Sequence, residues 1–427
     1  MKVAFYTLGC KVNQYETEAM KNLFKKNGFH IVENVDDADI FIINSCTVTS
    51  ASDRKTRQMI RKFKKNNENS IMILTGCYSQ NHGEELKNNQ NIDIIIGTKE
   101  KSKILDITND YINEHIKHNE VSDFLKNEEY EEFDIIDWES RTRANIKIQD
   151  GCNQYCSYCI IPYVRGPSRS RDREEIIKEI VNLSDKNYKE IIVNGINLTS
   201  LGRDDDNGDL VDLIKAIDKL DINSRIRFGS LEANIINEEM MEIISKNERF
   251  AKHFHLSLQS GSNSILKRMN RKYTKEEFYE KVRLIRKYIP DCGITTDIIV
   301  GFPGETEEEF NESYDFVNKV NFSRIHVFKF SPREGTRAYK MKNKVNGKIK
   351  NTRSRKMIEL GERLEKEFCK KFIGEEVEVL FETKDENGYY EGYTSNYLHF
   401  KYKSNKNLEN KLEKHFVKNV SDNTLVG

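Results

Sequence analysis

The chain has 427 residues, of which 37% are apolar and 32% charged, and its formal net charge is zero. This length predicts two or three domains, and the apolar share is sufficient for packed cores. No stretch approaches the roughly 20 apolar residues that span a bilayer, and the apolar run at the start is too short for a signal peptide, so we expect a cytoplasmic protein without a membrane partner.

The first part of the chain alternates apolar strands with helices. The predicted strands are Lys2–Thr7, Ile40–Asn44, Ile71–Thr75 and Ile92–Ile96, and the predicted helices are Asn13–Asn27 and Thr49–Lys65. Asn13 is the predicted N-cap of the first helix, and Gly28 is its predicted stop. Continuous apolar strands between helices are typical of an open parallel α/β sheet, which we assign to residues 1–115.

Three cysteines follow three of these strands. Cys10 comes after the first strand, Cys46 after the second and Cys77 after the third. A single free cysteine is often only a buried side chain. Because the carboxyl ends of parallel strands form the ligand crevice of such a sheet, three cysteines in equivalent positions favour one shared site.

The acidic stretch Glu120–Glu139, with nine acids and one lysine, predicts a linker over residues 116–139. A second series of strands and helices follows over residues 140–370. The predicted strands are Ala144–Gln149, Glu190–Asn194, Arg225–Gly229, His253–Leu258, Gly293–Val300 and Arg324–Phe330, and the helices include Arg173–Lys186, Lys275–Tyr288 and Thr306–Val320. Six such units predict a partial (β/α)6 barrel with its active site at the carboxyl ends of the strands.

Residues 371–427 predict a small all-β module, which follows a basic helical stretch at Thr352–Phe372. The module shows strand-like alternation and turn signals, at Gly374–Phe381, Glu386–Gly388, Tyr389–Gly392 and Tyr397–Tyr402. Two other runs contain no acid: Arg54–Lys65 has seven Lys or Arg, and Gly335–Lys356 has nine. Such runs fit a polyanionic partner such as RNA.

A cysteine loop of the form C-x-x-x-C-x-x-C follows the first predicted barrel strand, at Cys152, Cys156 and Cys159. Thiolates suit iron–sulfur clusters, and three of them leave one iron of a [4Fe–4S] cluster open to the amino and carboxylate groups of S-adenosylmethionine. Zinc is the alternative, but it typically takes four protein ligands, and no histidine lies within thirty residues of the loop. Cys292 and Cys369 stand alone and are predicted to be ordinary buried or half-buried thiols.

These motifs resemble those of the radical-SAM methylthiotransferases. The matching segments are TLGCKVNQYETE from Thr7, NSCTVT around Cys46, TGCYSQ around Cys77, IQDGCNQYCSYCIIPYVRGPSRSR from Ile148, HLSLQSGS from His255 and TDIIVGFPGETEEEF from Thr296. The resemblance covers nearly the whole chain and implies a flavodoxin-like N-terminal domain, a radical-SAM barrel and a small RNA-binding β-barrel of the TRAM type. It implies that Cys10, Cys46 and Cys77 bind a second [4Fe–4S] cluster that carries or supplies sulfur. It also implies that one S-adenosylmethionine yields the 5′-deoxyadenosyl radical and another donates a methyl group.

Within that family, TLGCKVNQYET and NGINLTSLG, from Asn194, resemble the branch that adds a methylthio group to C2 of N6-threonylcarbamoyladenosine at position 37 of tRNA. This resemblance implies tRNA as the partner, an external flavodoxin- or ferredoxin-like electron donor, and no DNA. One departure is Ala233-Asn234 after Glu232, where the family usually has proline.

Three alternatives remain at this stage. The same chemistry could act on isopentenyladenosine-37 of tRNA or on an aspartate of a ribosomal protein. A protein of another class, an iron–sulfur RNA-binding protein or a redox sensor, would use a cluster without an open iron. A dehydrogenase is disfavoured because no G-x-G-x-x-G motif follows a strand.

Further residues are predicted from the family and from the ends of the barrel strands. The predicted cofactor contacts are Tyr158, Gly195, Glu232, Ser257, Gln259 and Asp297. Polar residues at strand ends also often only close loops, which is the alternative for each of them. In the C-terminal module, some aromatic residues must form the core and others can stack on bases; Tyr397 is predicted to stack on a base, and Lys401 and Lys403 to contact phosphates, a role that the family resemblance implies.

Overall fold

The computed structural model describes residues 1–125, 128–133, 138, 142–204 and 208–427. Its contacts divide the chain into two units. The first comprises Met1–Glu139, Lys147–Arg171 and Ser331–Tyr339, and the second comprises Ser140–Ile146, Asp172–Phe330 and Lys340–Gly427. The predicted barrel range is therefore divided, because its cysteine loop belongs with the N-terminal residues. Within the described part of the chain, no helix is long and apolar enough to cross a membrane.

The N-terminal part of the first unit is an open parallel α/β sheet, which confirms the predicted fold class. Its elements are β1 (Lys2–Thr7), α1 (Lys11–Lys26), β2 (His30–Ile31), β3 (Ile40–Ser45), α2 (Ser50–Asn66), β4 (Ile71–Gly76), α3 (Cys77–Leu86), β5 (Ile94–Ile96), α4 (Ile104–Glu114) and β6 (His118–Glu120). The strands pair in parallel in the order β2-β1-β3-β4-β5-β6. Every residue of β3 is buried, as its uninterrupted apolar run predicts.

Two details of this sheet differ from the sequence prediction. The N-cap of α1 is Cys10, so the prediction of Asn13 as the cap is wrong. Asn13 instead donates from Nδ2 to the carbonyl oxygens of Leu8, at 2.8 Å, and Ser45, at 3.0 Å. Strand β6 lies in the stretch predicted as a linker, where its sequence, His-Asn-Glu, carries no apolar signal for a strand.

The middle of the chain forms the predicted series of strands and helices. Its elements are β7 (Arg143–Asp150), α5 (Ile161–Val164), β8 (Arg169–Ser170), α6 (Arg173–Asp185), β9 (Glu190–Gly195), α7 (Leu210–Asp218), β10 (Arg225–Phe228), β11 (Ser230–Leu231), α8 (Glu238–Lys246), β12 (His253–Leu256), α9 (Asn263–Arg268), α10 (Lys275–Tyr288), β13 (Gly293–Val300), α11 (Glu307–Val320), β14 (Arg324–Lys329) and α12 (Gly347–Lys370). In the second unit, β9 and β10 are parallel, and β11, β12, β13 and β14 form a second parallel run. Capping boxes at Thr274 and Thr306 start α10 and α11.

The C-terminal module is all-β, as predicted, and belongs to the second unit. Its strands are β15 (Glu376–Lys384), β16 (Tyr389–Thr394), β17 (His399–Lys403), β18 (Leu412–Phe416), β19 (Asn419–Ser421) and β20 (Thr424–Val426). They form a sheet in the order β18-β15-β16-β17-β20-β19. Alternate residues such as Val379, Phe381 and Phe400 are fully buried and form the core of the module.

Candidate iron–sulfur sites

The first cysteine triad lies at the carboxyl ends of three neighbouring strands. Cys10 follows β1, Cys46 follows β3 and Cys77 follows β4, and these strands are adjacent in the sheet. A Cβ atom on Gly9 would lie 3.0 Å from Cβ and 3.3 Å from Sγ of Cys46, so the chain before Cys10 runs directly over Cys46. The structure therefore brings the three predicted residues together at one edge of the sheet.

Two thiols of this triad are buried. Cys46 is 7% exposed and Cys77 2%, whereas Cys10 is exposed. Burial raises the pKa of Cys46 and raises that of Cys77 to about 12; neighbouring thiols add to the effect, and Arg165 opposes it. Since metals bind the thiolate, ligation would displace these protons. All eight cysteines are among the described residues, and none of them forms a disulfide.

Glycine stands directly before the cysteine in TGC and DGC, and the backbone explains why. Gly76 has a φ of +98°, and a Cβ atom there would collide with the backbone of Ser45. Gly151 has a φ of +68°, and a Cβ atom there would collide with the carbonyl oxygen of Pro167. Only glycine accepts both the left-handed backbone and the close approach.

The second triad lies in the loop after β7. The Cys152 N–H donates to the Gly166 carbonyl oxygen at 3.1 Å, and the Cys159 N–H donates to that of Cys156 at 3.0 Å. These bonds close the loop on itself. Cys77 of the first triad packs in an apolar cluster with Ile160 and Val164, which come just after Cys159. Both triads therefore lie in the first unit, and side chains of the second loop contact the first triad.

A buried ion network lies beside the cysteines. The Arg165 network consists of Asn13, Glu16, Lys101, Lys147, Asp150, Arg165 and Arg169. The Arg165 guanidinium donates to Asn13 Oδ1 at 2.8 Å, to Glu16 Oε1 and Oε2 at 2.9 and 3.1 Å, and to both oxygens of Asp150 at 3.0 Å. Lys101 donates to Glu16, and Lys147 Nζ lies 3.2 Å from Asp150 Oδ2.

The charges of this network stabilise one another. Burial alone would raise the pKa of Glu16, but Arg165, Lys101 and Lys147 lower it to about 2. The pKa of Asp150 lies well below its usual range because Arg165 and Lys147 outweigh its burial. Burial alone would lower the pKa of Arg165, but Asp150 and Glu16 raise it well above its ordinary value. The three groups are therefore ionised at neutral pH.

The chemistry of both triads fits [4Fe–4S] clusters, whose usual ligands are thiolates. Thiolates are anionic, and the cations of the Arg165 network outnumber its carboxylates. Burial, the larger effect, raises the pKa of both buried thiols and Arg165 lowers it, so the cation partly offsets the cost of the thiolate form, and metal binding would supply the rest. Among the described residues, no three His, Cys, Asp or Glu side chains converge on a point where a single metal ion could sit. In a cluster, by contrast, each thiolate binds a different iron.

The predicted cofactor contacts lie in both units. Tyr158 lies in the cysteine loop of the first unit; the second unit contains Gly195, Glu232, Ser257, Gln259 and Asp297. Glu232 Oε1 is 3.2 Å from Arg271 Nη1. Asp297 Oδ2 lies 3.3 Å from Nε2 of His255, and Gln259 has a left-handed φ of +69°. Their role as cofactor contacts stays a prediction.

The predicted RNA contacts have partners within the second unit. The Tyr397 ring lies 4.6 Å from the Arg227 guanidinium and 4.9 Å from the His253 ring. Lys401 Nζ pairs with Asp385 at 2.8 Å and with Glu391 at 3.1 Å. Lys403 is exposed, with Nζ 5.4 Å from the centre of the Tyr389 ring. Their RNA role also stays a prediction.

Sequence reasoning missed the Arg165 network. The sequence does carry one sign of the network, a pair of charged residues in a central strand. Lys147 and Asp150 lie in β7, and the residues between them are buried. A charged side chain is rarely fully buried unless it is paired, so this pattern predicts a partner elsewhere. The expectation for Cys292 and Cys369 is confirmed, since they are 1% and 0% exposed.

Comparison with known families agrees with the geometry. The profile of the Radical SAM superfamily matches residues 146–317, and that of an uncharacterized protein family, UPF0004, matches residues 2–97. In the solved structure of TsrM from Kitasatospora setae, a radical S-adenosylmethionine methyltransferase, the fold is similar, with a TM-score of 0.57 and 13% identity over 76% of this chain and 72% of that one. At this identity, the likeness concerns the fold alone.

Relatives with known names match along most of the chain. The threonylcarbamoyladenosine tRNA methylthiotransferase MtaB of Bacillus subtilis is 41% identical over 96% of this chain and 92% of that protein. The tRNA-2-methylthio-N(6)-dimethylallyladenosine synthase of Petrotoga mobilis is 38% identical over 100% of this chain and 98% of that protein. With these matches, the alternatives of a binding protein and a redox sensor fall away, and the chain belongs to the radical-SAM methylthiotransferases, a family of enzymes.

Proposed function

We propose that this enzyme adds a methylthio group to C2 of N6-threonylcarbamoyladenosine at position 37 of tRNA. The observation that carries this proposal is a set of relatives named for that substrate, which are 41%, 39% and 37% identical over 96%, 89% and 95% of the chain. The two cysteine triads support it, because the reaction requires one open iron for S-adenosylmethionine and one for sulfur.

The cofactors are S-adenosylmethionine and two [4Fe–4S] clusters. Cys152, Cys156 and Cys159 would hold the cluster that binds S-adenosylmethionine; the other triad, Cys10, Cys46 and Cys77, would hold the cluster that carries or supplies sulfur. When bound, these groups supply the radical, the sulfur and the methyl group. The chain holds Cys77 and Cys152 behind glycine turns, covers Cys77 with Ile160 and Val164, and places the charge of Arg165 where it lowers the pKa of Cys46 and Cys77.

A second substrate is also supported. The Petrotoga mobilis relative, named for dimethylallyladenosine, matches the entire chain at 38% identity. The two tRNA modifications differ chemically, because the threonylcarbamoyl group carries a carboxylate whereas the dimethylallyl group is apolar. A direct comparison of the two tRNAs therefore decides between them.

The remaining partners follow from this reaction. The module of residues 371–427 is proposed as a TRAM-like RNA-binding domain, with Tyr397, Lys401 and Lys403 near the RNA. An external flavodoxin- or ferredoxin-like protein is proposed as the electron donor. The enzyme would act in the cytoplasm, without DNA or a membrane as partner.

The test is reconstitution under anaerobic conditions with iron and sulfide, followed by reaction with S-adenosylmethionine, a strong reductant and tRNA. One tRNA carries threonylcarbamoyladenosine and the other isopentenyladenosine, and the digested nucleosides are followed by mass. Replacement of the C2 hydrogen by a methylthio group only on the first tRNA is the expected result. Methylthio product only on the tRNA that carries isopentenyladenosine would contradict the proposal and identify that tRNA as the substrate.

Cysteine variants separate the two triads. Cys156→Ser should abolish both 5′-deoxyadenosine and the methylthio product. Cys77→Ser should abolish the methylthio product and leave some 5′-deoxyadenosine. Cys369→Ser is the matched control, because this buried thiol lies in the core of the C-terminal module. Full methylthiolation by Cys77→Ser would rule out the two-cluster arrangement.

A further inference from the structure

Arg165 is fully buried and lies between the segments that carry the two cysteine triads. Its side chain is 0% exposed, and it stands six residues after Cys159 in the same loop. Its guanidinium contacts Asn13 and Glu16 on α1, which begins directly after Cys10, and Asp150, which ends β7 just before the second triad. A single side chain thus contacts the elements that carry both triads.

One chain of hydrogen bonds runs from Arg165 to the first triad. Arg165 Nη2 donates to Asn13 Oδ1 at 2.8 Å, and this bond fixes which way the Asn13 amide points. Asn13 Nδ2 then donates to the carbonyl oxygens of Leu8 and Ser45, at 2.8 and 3.0 Å. Ser45 directly precedes Cys46, and Leu8 stands two residues before Cys10. The Cys10 thiol itself donates to Asn13 Oδ1 at 3.6 Å.

A second chain of hydrogen bonds runs from Arg165 to the other triad. Arg165 Nη1 donates to Asp150 Oδ1 at 3.0 Å. The same carboxylate oxygen accepts from the Gly151 N–H at 2.7 Å, and Gly151 precedes Cys152. The backbone of Arg165 is also held, because its N–H donates to the Ile161 carbonyl oxygen at 2.8 Å.

We propose that Arg165 is a positioning residue that sets the spacing between the two cluster sites. The inference rests on the proposed two-cluster function. The guanidinium donates to oxygens of three side chains at once, whereas a lysine ammonium is a compact charge on a flexible stem. Arg165→Lys therefore keeps the charge and loses the link between the segments. Sulfur transfer requires the two sites at a defined distance, whereas cleavage of S-adenosylmethionine requires only one of them.

The test compares Arg165→Lys, Asn13→Ala and wild type, each loaded with both clusters. Pulsed electron paramagnetic resonance measures the magnetic coupling between the two reduced clusters, and a second assay measures 5′-deoxyadenosine formed per methylthio group. For Arg165→Lys, we expect a broader distribution of couplings and a ratio that rises by roughly 10- to 100-fold, because small misplacements are costly in positioned reactions. Asn13→Ala should change both readouts in the same direction while leaving the buried ion pairs intact.

Arg227→Lys is the matched control, because Arg227 is a buried arginine that donates two hydrogen bonds to a buried glutamate in the second unit. It should lower stability without changing the coupling between the two clusters. The inference is overturned if both Arg165→Lys and Asn13→Ala show the wild-type coupling between the clusters and the wild-type ratio of 5′-deoxyadenosine to methylthio product. If Arg165→Lys fails to fold, the result for Asn13→Ala decides. If wild type holds one cluster or makes no methylthio product, the proposed function itself fails, and the inference fails with it.

Discussion

The two units each contain a buried arginine network, and the two networks end on different parts of the molecule. In the second unit, Glu190 binds three arginines: Arg225 at 2.6 Å, Arg227 at 2.9 and 3.0 Å, and Arg143 at 3.1 Å. These arginines also contact the C-terminal module, through the carboxylates of Glu378 and Glu382, the rings of Tyr393 and Tyr397 and the carbonyl oxygen of Thr394. The Glu190 network therefore holds the module against the strands of the second unit.

The comparison shows that buried charge alone does not mark a functional site. Both networks are nearly fully buried, and in both, carboxylate pKa values are lowered by arginines that outweigh desolvation. The two networks differ in the groups that their outermost residues contact. The Arg165 network ends on backbone groups next to Cys46 and Cys152, whereas the Glu190 network ends on aromatic rings and carbonyls of a β-module. Their variants should therefore affect different properties.

The largest stability effect is expected from Glu190→Gln. This change leaves Arg143, Arg225 and Arg227 without their shared carboxylate, and breaking a buried ion pair costs about 3–5 kcal/mol. Urea unfolding followed by circular dichroism should show this loss. Iron content per folded molecule should stay at the wild-type value. A loss of iron from the folded fraction would show that the comparison between the networks is wrong.

A somewhat smaller loss of folding stability is expected when Glu16 is protonated in acid. Because its pKa falls from the ordinary 4.5 to about 2 on folding, its contribution is complete above pH 4.5 and is lost as the pH falls towards 2. The shift corresponds to about 3 kcal/mol. Urea unfolding of the metal-free protein at pH 7 and pH 3, followed by the fluorescence of Trp138 in the first unit, measures the part that is lost between these two pH values, about 2 kcal/mol. Glu16→Gln should be less stable at pH 7 and should depend less on pH, and an unchanged pH dependence would contradict the assignment.

The sequence predicts most of the fold and both cysteine triads, because these depend on local patterns. Apolar runs locate β3 and β4, and cysteine spacing along the chain locates the second triad. The Arg165 network was not predictable in the same way, since Glu16 and Arg165 are 149 positions apart and nothing local pairs them. Tyr397 shows the same limit of sequence-based prediction. An aromatic residue among lysines suggests an RNA contact, but the contacts of Tyr397 with Arg227 and His253 depend on how the module folds.

A smaller pH dependence of stability, caused by His253, is expected in the second unit near neutral pH. Burial, followed by Arg227, lowers the pKa of His253 well below 6.5, so this side chain is neutral when folded and binds a proton more readily when unfolded. Stability should therefore fall as the pH drops below 6.5, by about 1 kcal/mol between pH 6.5 and 5.5. Hydrogen exchange of peptides from β12 and β17 measures this change in the second unit.

His253→Gln should flatten that dependence, and the same change at His30, which is exposed in the first unit, is the matched control. Between pH 6.5 and 5.5, the free energy of opening derived from exchange in β3 and β4 of the first unit should stay constant, because the acid dependence of Glu16 begins only below pH 4.5. Equal losses in both units over this range would remove the distinction between the networks.

The smallest expected effect is on tRNA binding by the C-terminal module, which the Glu190 network holds in place. If the module contacts tRNA, Lys403→Ala should weaken tRNA binding and reduce the salt slope of the binding constant by about 0.7–0.9, the value for one lost phosphate contact. Lys401→Ala should reduce it less, because Asp385 and Glu391 already neutralise that ammonium. Titration of tRNA into both variants at several salt concentrations measures the two slopes. Equal slopes in wild type and Lys403→Ala would remove Lys403 from the RNA surface and leave the Glu190 network with a purely structural role.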